Sequence, residues 1–354
     1  MTSVTMSDEG RQIEALVSEP ERQSMLGVPA AYRGMVRQAG MPAEQLRALY
    51  QVKVLRILLE LVLTLGSLVA VPVVYALAPN PLTFVLCFIL SVRNSNCLAQ
   101  LIHSSDHGSL FKHPGLNVAI GNACAYLLGY TRAGHRLAHL RHHLYLNTDR
   151  DPDLVWATPH QTSRDLFRAW CHDLLFLSAL KRLLQYSQTE KTTFSVQPWR
   201  NVSLSFVAHG LKVMWPVVVA QVGVLAVYST LVGPAFYFVF YVLPIMTFYP
   251  AQIRLRSTVE HSFDVGYEAK APADLWVTRS TRAGWLERFV FAPYGIDFHF
   301  EHHLFPAVPH YNLKKVREML KGAGVAIPLA PGYVNFVIGK LRAERRRLAV
   351  QSSA

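Results

Sequence analysis

The segment Val213–Ile253, VMWPVVVAQVGVLAVYSTLVGPAFYFVFYVLPIMTFYPAQI, runs for 41 residues without a single charged side chain. A soluble bundle has little use for such a run, because each of its helices needs a solvated face. A helix needs about 20 apolar residues to cross a hydrocarbon core of about 30 Å. The segment is therefore long enough for two spans, and Gly233-Pro234 near its middle marks the turn between them. A second uncharged run, Leu61–Val92, is interrupted in the same way by Pro79-Asn80-Pro81. These runs predict four transmembrane helices, at about residues 57–78, 82–102, 210–232 and 235–256, arranged as two hairpins. The second span carries Arg93, Asn94 and Asn96 at a depth where polar groups face the protein interior or a cavity. They line a substrate passage or hydrogen-bond other spans.

Composition and charge agree with this layout. Hydrophobic residues make up 51% of the 354 residues and charged ones only 16%, against roughly 25% charged in soluble domains. The formal charge of +12 is explained by where it sits. The short turns Ala78–Thr83 and Leu231–Ala235 have no Lys or Arg, while the segment between the hairpins and a tail with Arg345, Arg346 and Arg347 are basic. The positive-inside tendency puts both termini and the central segment in the cytoplasm, and nucleic acid is not needed as a partner. No cleavable leader is read in the first fifty residues. Cys87, Cys97, Cys124 and Cys171 have no CxxC spacing, as expected on a reducing side of the membrane. The chain divides into a cytoplasmic segment 1–52, a membrane domain 53–320 and a basic tail 321–354. Apolar positions 167, 170, 174, 177, 180 and 184 predict an amphipathic helix over Arg164–Tyr186, lying in the membrane interface.

Most of the 15 histidines are clustered. His103-Ser-Ser-Asp-His107, His139-Leu-Arg-His142-His143 and His299-Phe-Glu-His302-His303 each place imidazoles three or four residues apart. On a helix such residues share a face, with Cβ atoms about 5–6 Å apart. The first cluster follows the second span directly, and Glu260-His261 follows the fourth, so span lengths bring them to the side that the charges mark as cytoplasmic. Eight or nine nitrogens are too many for one ion and imply two. Imidazole alone suits iron, zinc, copper or nickel, and the absence of HExxH argues against a zinc protease.

The boxes come with further motifs: Asn147, Asp151-Pro152-Asp153, Arg256-x-x-x-Glu260-His261, and His299-x-x-His302-His303-Leu304-Phe305-Pro306 leading into Val308-Pro309-His310-Tyr311. Together they make residues 85–320 resemble the membrane fatty acid desaturases. The resemblance implies an all-α integral membrane fold of four transmembrane helices in two hairpins, with a cytoplasmic helical cap holding a di-iron site. It implies two Fe ions ligated by His103, His107, His139, His142, His143, His261, His299, His302 and His303. It also implies an O₂-dependent enzyme that introduces a double bond into a lipid or fatty-acyl chain, in a bacterial inner membrane with its site on the cytoplasmic side. Electrons would come from a separate redox partner of ferredoxin or cytochrome b5 type, because the chain has no motif for an electron-carrying cofactor. The basic cytoplasmic surface suits an acidic donor.

The chain departs from the family's usual pattern at two points. Asp106 stands where many relatives have a small residue, and Ser257 where some acyl-CoA members have a water-holding Asn. His113-Pro-Gly-Leu116 is read as a turn and not as a haem motif. His135, on the same helical face as His139, is read as a neighbour of the ligands or a solvated residue in preference to a ligand, His113, His160, His172 and His310 as surface or capping residues, and His209 as lying at the membrane edge. Glu260 and Glu301 either accept imidazole N–H bonds or are solvated, and Asp151 and Asp153 read equally as turn residues. A hydroxylase or ketolase of a fatty acid, carotenoid or similar substrate is the alternative reaction. A metal-binding receptor or zinc hydrolase is the alternative class.

Overall fold

A computed structural model describes residues 42–146, 151–153, 163–179, 204–261 and 278–352. Asn147, His160, residues 1–41 and residues 180–186 of the expected amphipathic helix lie outside the described residues, as do the side chains of His209 and Arg347. In chain order the helices are α1 (Ala43–Leu49), α2 (Val54–Leu77), α3 (Pro81–Asp106), α4 (Pro114–Leu127), α5 (Arg132–Tyr145), α6 (Ser163–Leu174) and α7 (Leu204–Leu231). They continue with α8 (Pro234–Tyr237), α9 (Tyr249–His261), α10 (Trp285–Val290), α11 (His299–Leu304), α12 (Leu313–Gly322) and α13 (Tyr333–Ser352). Phe238–Val242 and Pro244–Phe248 form wider π-type turns that join α8 to α9 in one long helix.

Among the described residues four stretches are long and apolar enough to cross a membrane: Glu44–Leu77, Pro81–Asp106, Lys212–Leu231 and Pro234–His261. Both breaks between them are made by local chemistry. Asn80 caps α3 by accepting the Thr83 N–H at 3.0 Å, and Pro81 fills the first helical position, where a missing N–H costs nothing. Gly233 takes φ 106°, a conformation open to glycine, and donates its N–H to the Tyr228 carbonyl at 2.8 Å. Pro234 then opens the fourth span. Leu55, Val62 and Leu77 on α2 and Trp215 and Val219 on α7 are exposed, as a lipid-facing surface requires. Asn94 and Asn96 are buried and bond other spans, Asn94 accepting from Ser67 Oγ at 2.7 Å and Asn96 bonding Gln252.

Three features differ from the expected layout. A helix, α4, packs along α3, and Gly121 permits the approach: a Cβ there would collide with Ser105 and Arg132. At 14 residues it is about 21 Å long, too short for a span, so no hydropathy run announces it. The amphipathic helix is broken after Leu174, where Phe176 has φ 67°, and residues 177–179 are helical again. Its buried residues are Leu166 and Asp173, while Phe167, Leu174 and Leu177 are exposed, so only part of the apolar stripe meets the protein. The C-terminal tail contains α13, whose Tyr333 and Phe336 pack with Leu255 and Val259 of α9. Ser280 and Thr281 pair in parallel with Leu329 and Ala330, tying the start of this tail to the segment before α10.

Candidate metal centre

The nine clustered histidines come from four helices. His103 lies in the last turn of α3 and His107 caps it; His139, His142 and His143 lie on α5; His261 ends α9; His299, His302 and His303 lie on α11. Ring nitrogens of His103, His107, His139, His143 and His302 lie within 4.8 Å of one another, and those of His142, His261, His299 and His303 form a second such group. The helical period explains the division. Residues four apart, His103/His107, His139/His143 and His299/His303, stay together, while His142 and His302, three from the first member of their boxes, cross to the other group. The groups adjoin, with the rings of His143 and His303 4.2 Å apart between centroids.

The nitrogens converge as metal ligands do. Within the first group Nε2 atoms are separated by 2.7 Å (His107–His139), 3.1 Å (His139–His143) and 3.2 Å (His143–His302). In the second the separations are 2.7 Å (His261–His299) and 3.1 Å (His299–His303). Two nitrogens about 2.1 Å from one ion and at right angles to each other stand about 3 Å apart. Burial, reinforced by neighbouring rings, drives His139, His143, His299 and His303 far below the ordinary histidine range. Burial likewise lowers His302, to about 3. Such rings are neutral at pH 7 and have lone pairs to offer. The site therefore fits a pair of imidazole-binding cations.

Polar residues behind the rings fix their orientation. Asp151, buried, receives the His142 Nδ1–H at 3.0 and 3.1 Å, which turns Nε2 toward the second group. Burial alone would lower His142, but this carboxylate overrides it and raises the ring to about 9. Glu260 lies 3.5 Å from His299 Nδ1 and is itself held by Tyr333 Oη at 2.8 Å and by Arg256. Asp106 meets His135 Nδ1 at 2.6 Å and Arg132 Nε at 3.2 Å, locking the end of α3 to α5. That work explains an acid in the first box. His135 belongs to neither histidine group.

Two expectations are corrected here. Glu301 accepts from Arg317 at 2.5 and 3.1 Å and bonds Ser280, not an imidazole. His310 is neither a surface nor a capping residue: it is 4% exposed, with Nε2 2.9 Å from Glu60 of α2. His113 and His172 are exposed, and His113 precedes Pro114 at the start of α4. Tyr333, the residue that sequence reasoning missed, had no signal beyond being an aromatic in a basic tail.

A cavity of about 120 Å³ opens between the two groups, reached by His103, His139, His142, His261 and His299. Ala99, Tyr249, Ile253 and Ile296 supply the apolar part of its lining, and Gln100, Asp153, Arg256, Ser257 and Glu260 supply polar groups.

Residues 79–329 match the fatty acid desaturase family. The chain is also similar to dihydrorhizobitoxine desaturase of Bradyrhizobium elkanii, with 26% identity over 280 residues, covering 73% of this chain and 76% of that protein. With the boxes, their convergence and a match over most of its length, the chain belongs to the fatty acid desaturase family.

Proposed function

We propose that this protein is an O₂-dependent di-iron desaturase that introduces a double bond into a lipid or fatty-acyl chain with electrons from a separate donor. The observation that carries this reading is the division of nine buried or half-buried histidines into groups of five and four beside one cavity. Bound there, two irons would supply the oxidation of an unactivated C–H bond, which no side chain achieves. The protein does the rest. His103, His107, His139, His143 and His302 would hold one ion, and His142, His261, His299 and His303 the other. Asp151 keeps the proton of His142 on Nδ1, so that Nε2 faces the ion. Ile253, Ile296 and Tyr249 offer apolar contacts that would align a stretch of chain. The cavity is smaller than the roughly 300–1,000 Å³ of whole-ligand pockets, so it suits a few methylenes and not a head group.

In this reading the four spans form two hairpins of a bacterial inner-membrane protein. The histidine-bearing helices form a cytoplasmic cap, and both termini lie on that side. A ferredoxin or cytochrome b5 type donor docks on the basic cap. The relative named for a desaturation supports loss of a second hydrogen over oxygen transfer. The test supplies acyl lipids and reductant to the purified enzyme under ¹⁸O₂. An unlabelled alkene is expected, whereas a main product carrying ¹⁸O would assign the chain to hydroxylation or ketone formation.

A further inference from the structure

The helix α10, which precedes the third histidine box, presents Trp285, Leu286 and Phe289 outward at 80%, 56% and 40% exposure. Its two charged residues are both paired with the protein, although the Arg288 side chain stays 46% exposed. Glu287 accepts the N–H groups of Gly284 and Val334, and Arg288 pairs with Asp297 at 2.9 Å. Beside it α13 exposes Val334, Ile338 and Leu341, one continuous helical face. A patch of six large apolar residues on the histidine-bearing layer needs an occupant.

The spans act as a depth gauge. Tyr294, four residues past α10, bonds Thr64 of α2 at 2.7 Å. Thr64 lies 13 residues from the far end of α2 at Leu77, about 20 Å at 1.5 Å per residue. Independently, Phe289 of α10 receives the Arg93 guanidinium at 4.6 Å from its ring centroid. Arg93 lies 12 residues from the far end of α3 at Pro81, about 18 Å by the same rule. In a hydrocarbon core of about 30 Å, the Thr64 and Arg93 backbone lies about 10–12 Å below the surface from which the histidines emerge, so the contacts of their side chains fall within the hydrocarbon layer. Arg93 has no carboxylate partner among the described residues, and the Phe289 face is the favourable contact that a cation at that depth has.

We infer that α10 is sunk into the leaflet on the histidine side, its apolar face among lipid acyl chains, and that Arg93 pins it there through Phe289. The chain then runs from α10 through Tyr294 to Ile296, which lines the cavity, and to His299. A lipid chain beside α10 is thus one short segment from the metal centre and enters sideways from the leaflet, not from water. This route rests on the desaturase reading; the depth of α10 does not.

The test places a bimane fluorophore on Leu286→Cys, and separately on Trp285→Cys, in full-length protein carrying Cys171→Ser. Lys315→Cys, an exposed position on α12, is the aqueous reference. The proteins are reconstituted in phosphatidylcholine–phosphatidylglycerol vesicles, with nitroxides on the lipid chains or iodide in the buffer as quenchers. Chain nitroxides should quench either α10 probe several-fold more than the Lys315 probe, and iodide several-fold less. Adding Arg93→Gln should shift both ratios toward the aqueous reference. Iodide quenching equal to that at Lys315 overturns the inference. So does protection from both quenchers, which would mean that another protein surface covers the patch. Metal content and turnover do not enter the readout, so failure here leaves the desaturase proposal to its own test.

Discussion

Replacing Asp151 with alanine should weaken metal binding in the four-histidine group and leave the five-histidine group intact. Asp151 and His142 are 5% and 3% exposed, and the carboxylate receives the imidazole N–H through both oxygens, at 3.0 and 3.1 Å. Without it a buried N–H loses its acceptor, at a cost of about 1–3 kcal/mol. At about 1.4 kcal/mol per tenfold, that is a factor of about 5 to 150, the range seen when partners behind a ligating histidine are removed. Asp151→Ala should therefore release one of two metals at a chelator concentration roughly ten- to a hundredfold lower than the parent protein requires. The assay is chelator titration with metal analysis of the retained protein, and His113→Ala, at an exposed site, is the control. Wild-type retention by Asp151→Ala, or equal loss of both metals, would refute the reasoning.

Three further outcomes are expected. In metal-free protein the His142 pKa is raised to about 9, so the pair stabilises the fold fully below the unfolded value of about 6.5, and that stability is lost as pH rises through 9. Melting temperature should fall over that window and do so less in Asp151→Ala; parallel curves would contradict the pairing. His302→Ala and His303→Ala should both abolish turnover, but each should lose metal from a different group and the double variant from both. Loss of the same metal from each would contradict the crossing of the boxes. Reporter fusions at residue 354 and within the Ala78–Thr83 turn should give opposite signals, and matching signals would exclude four spans with both termini cytoplasmic.

The spans were legible because charge-free runs and Pro/Gly breaks are local properties. So was the convergence of the boxes, since helical period and span length place the rings without tertiary detail. What could not be read depends on distant partners. His310 resembles a surface histidine until Glu60, some 250 residues earlier, meets it at 2.9 Å. Asp151 resembles a turn residue until His142 is placed against it. Tyr333 gains a role only because α13 folds back on α9 and reaches Glu260. The helix α4 escaped because 14 residues are too few for a hydropathy signal of a span. Glu301 could not be assigned because its partner, Arg317, sits on another helix.

The central claim is that nine histidines hold two irons in groups of five and four. Metal analysis joined to iron-edge X-ray absorption of the purified, full-length protein tests it most directly. Two irons per chain with a first shell dominated by imidazole nitrogen, and loss of imidazole scattering in His142→Ala, are the predicted result. One zinc per chain with no iron, or an iron shell dominated by oxygen, would contradict it.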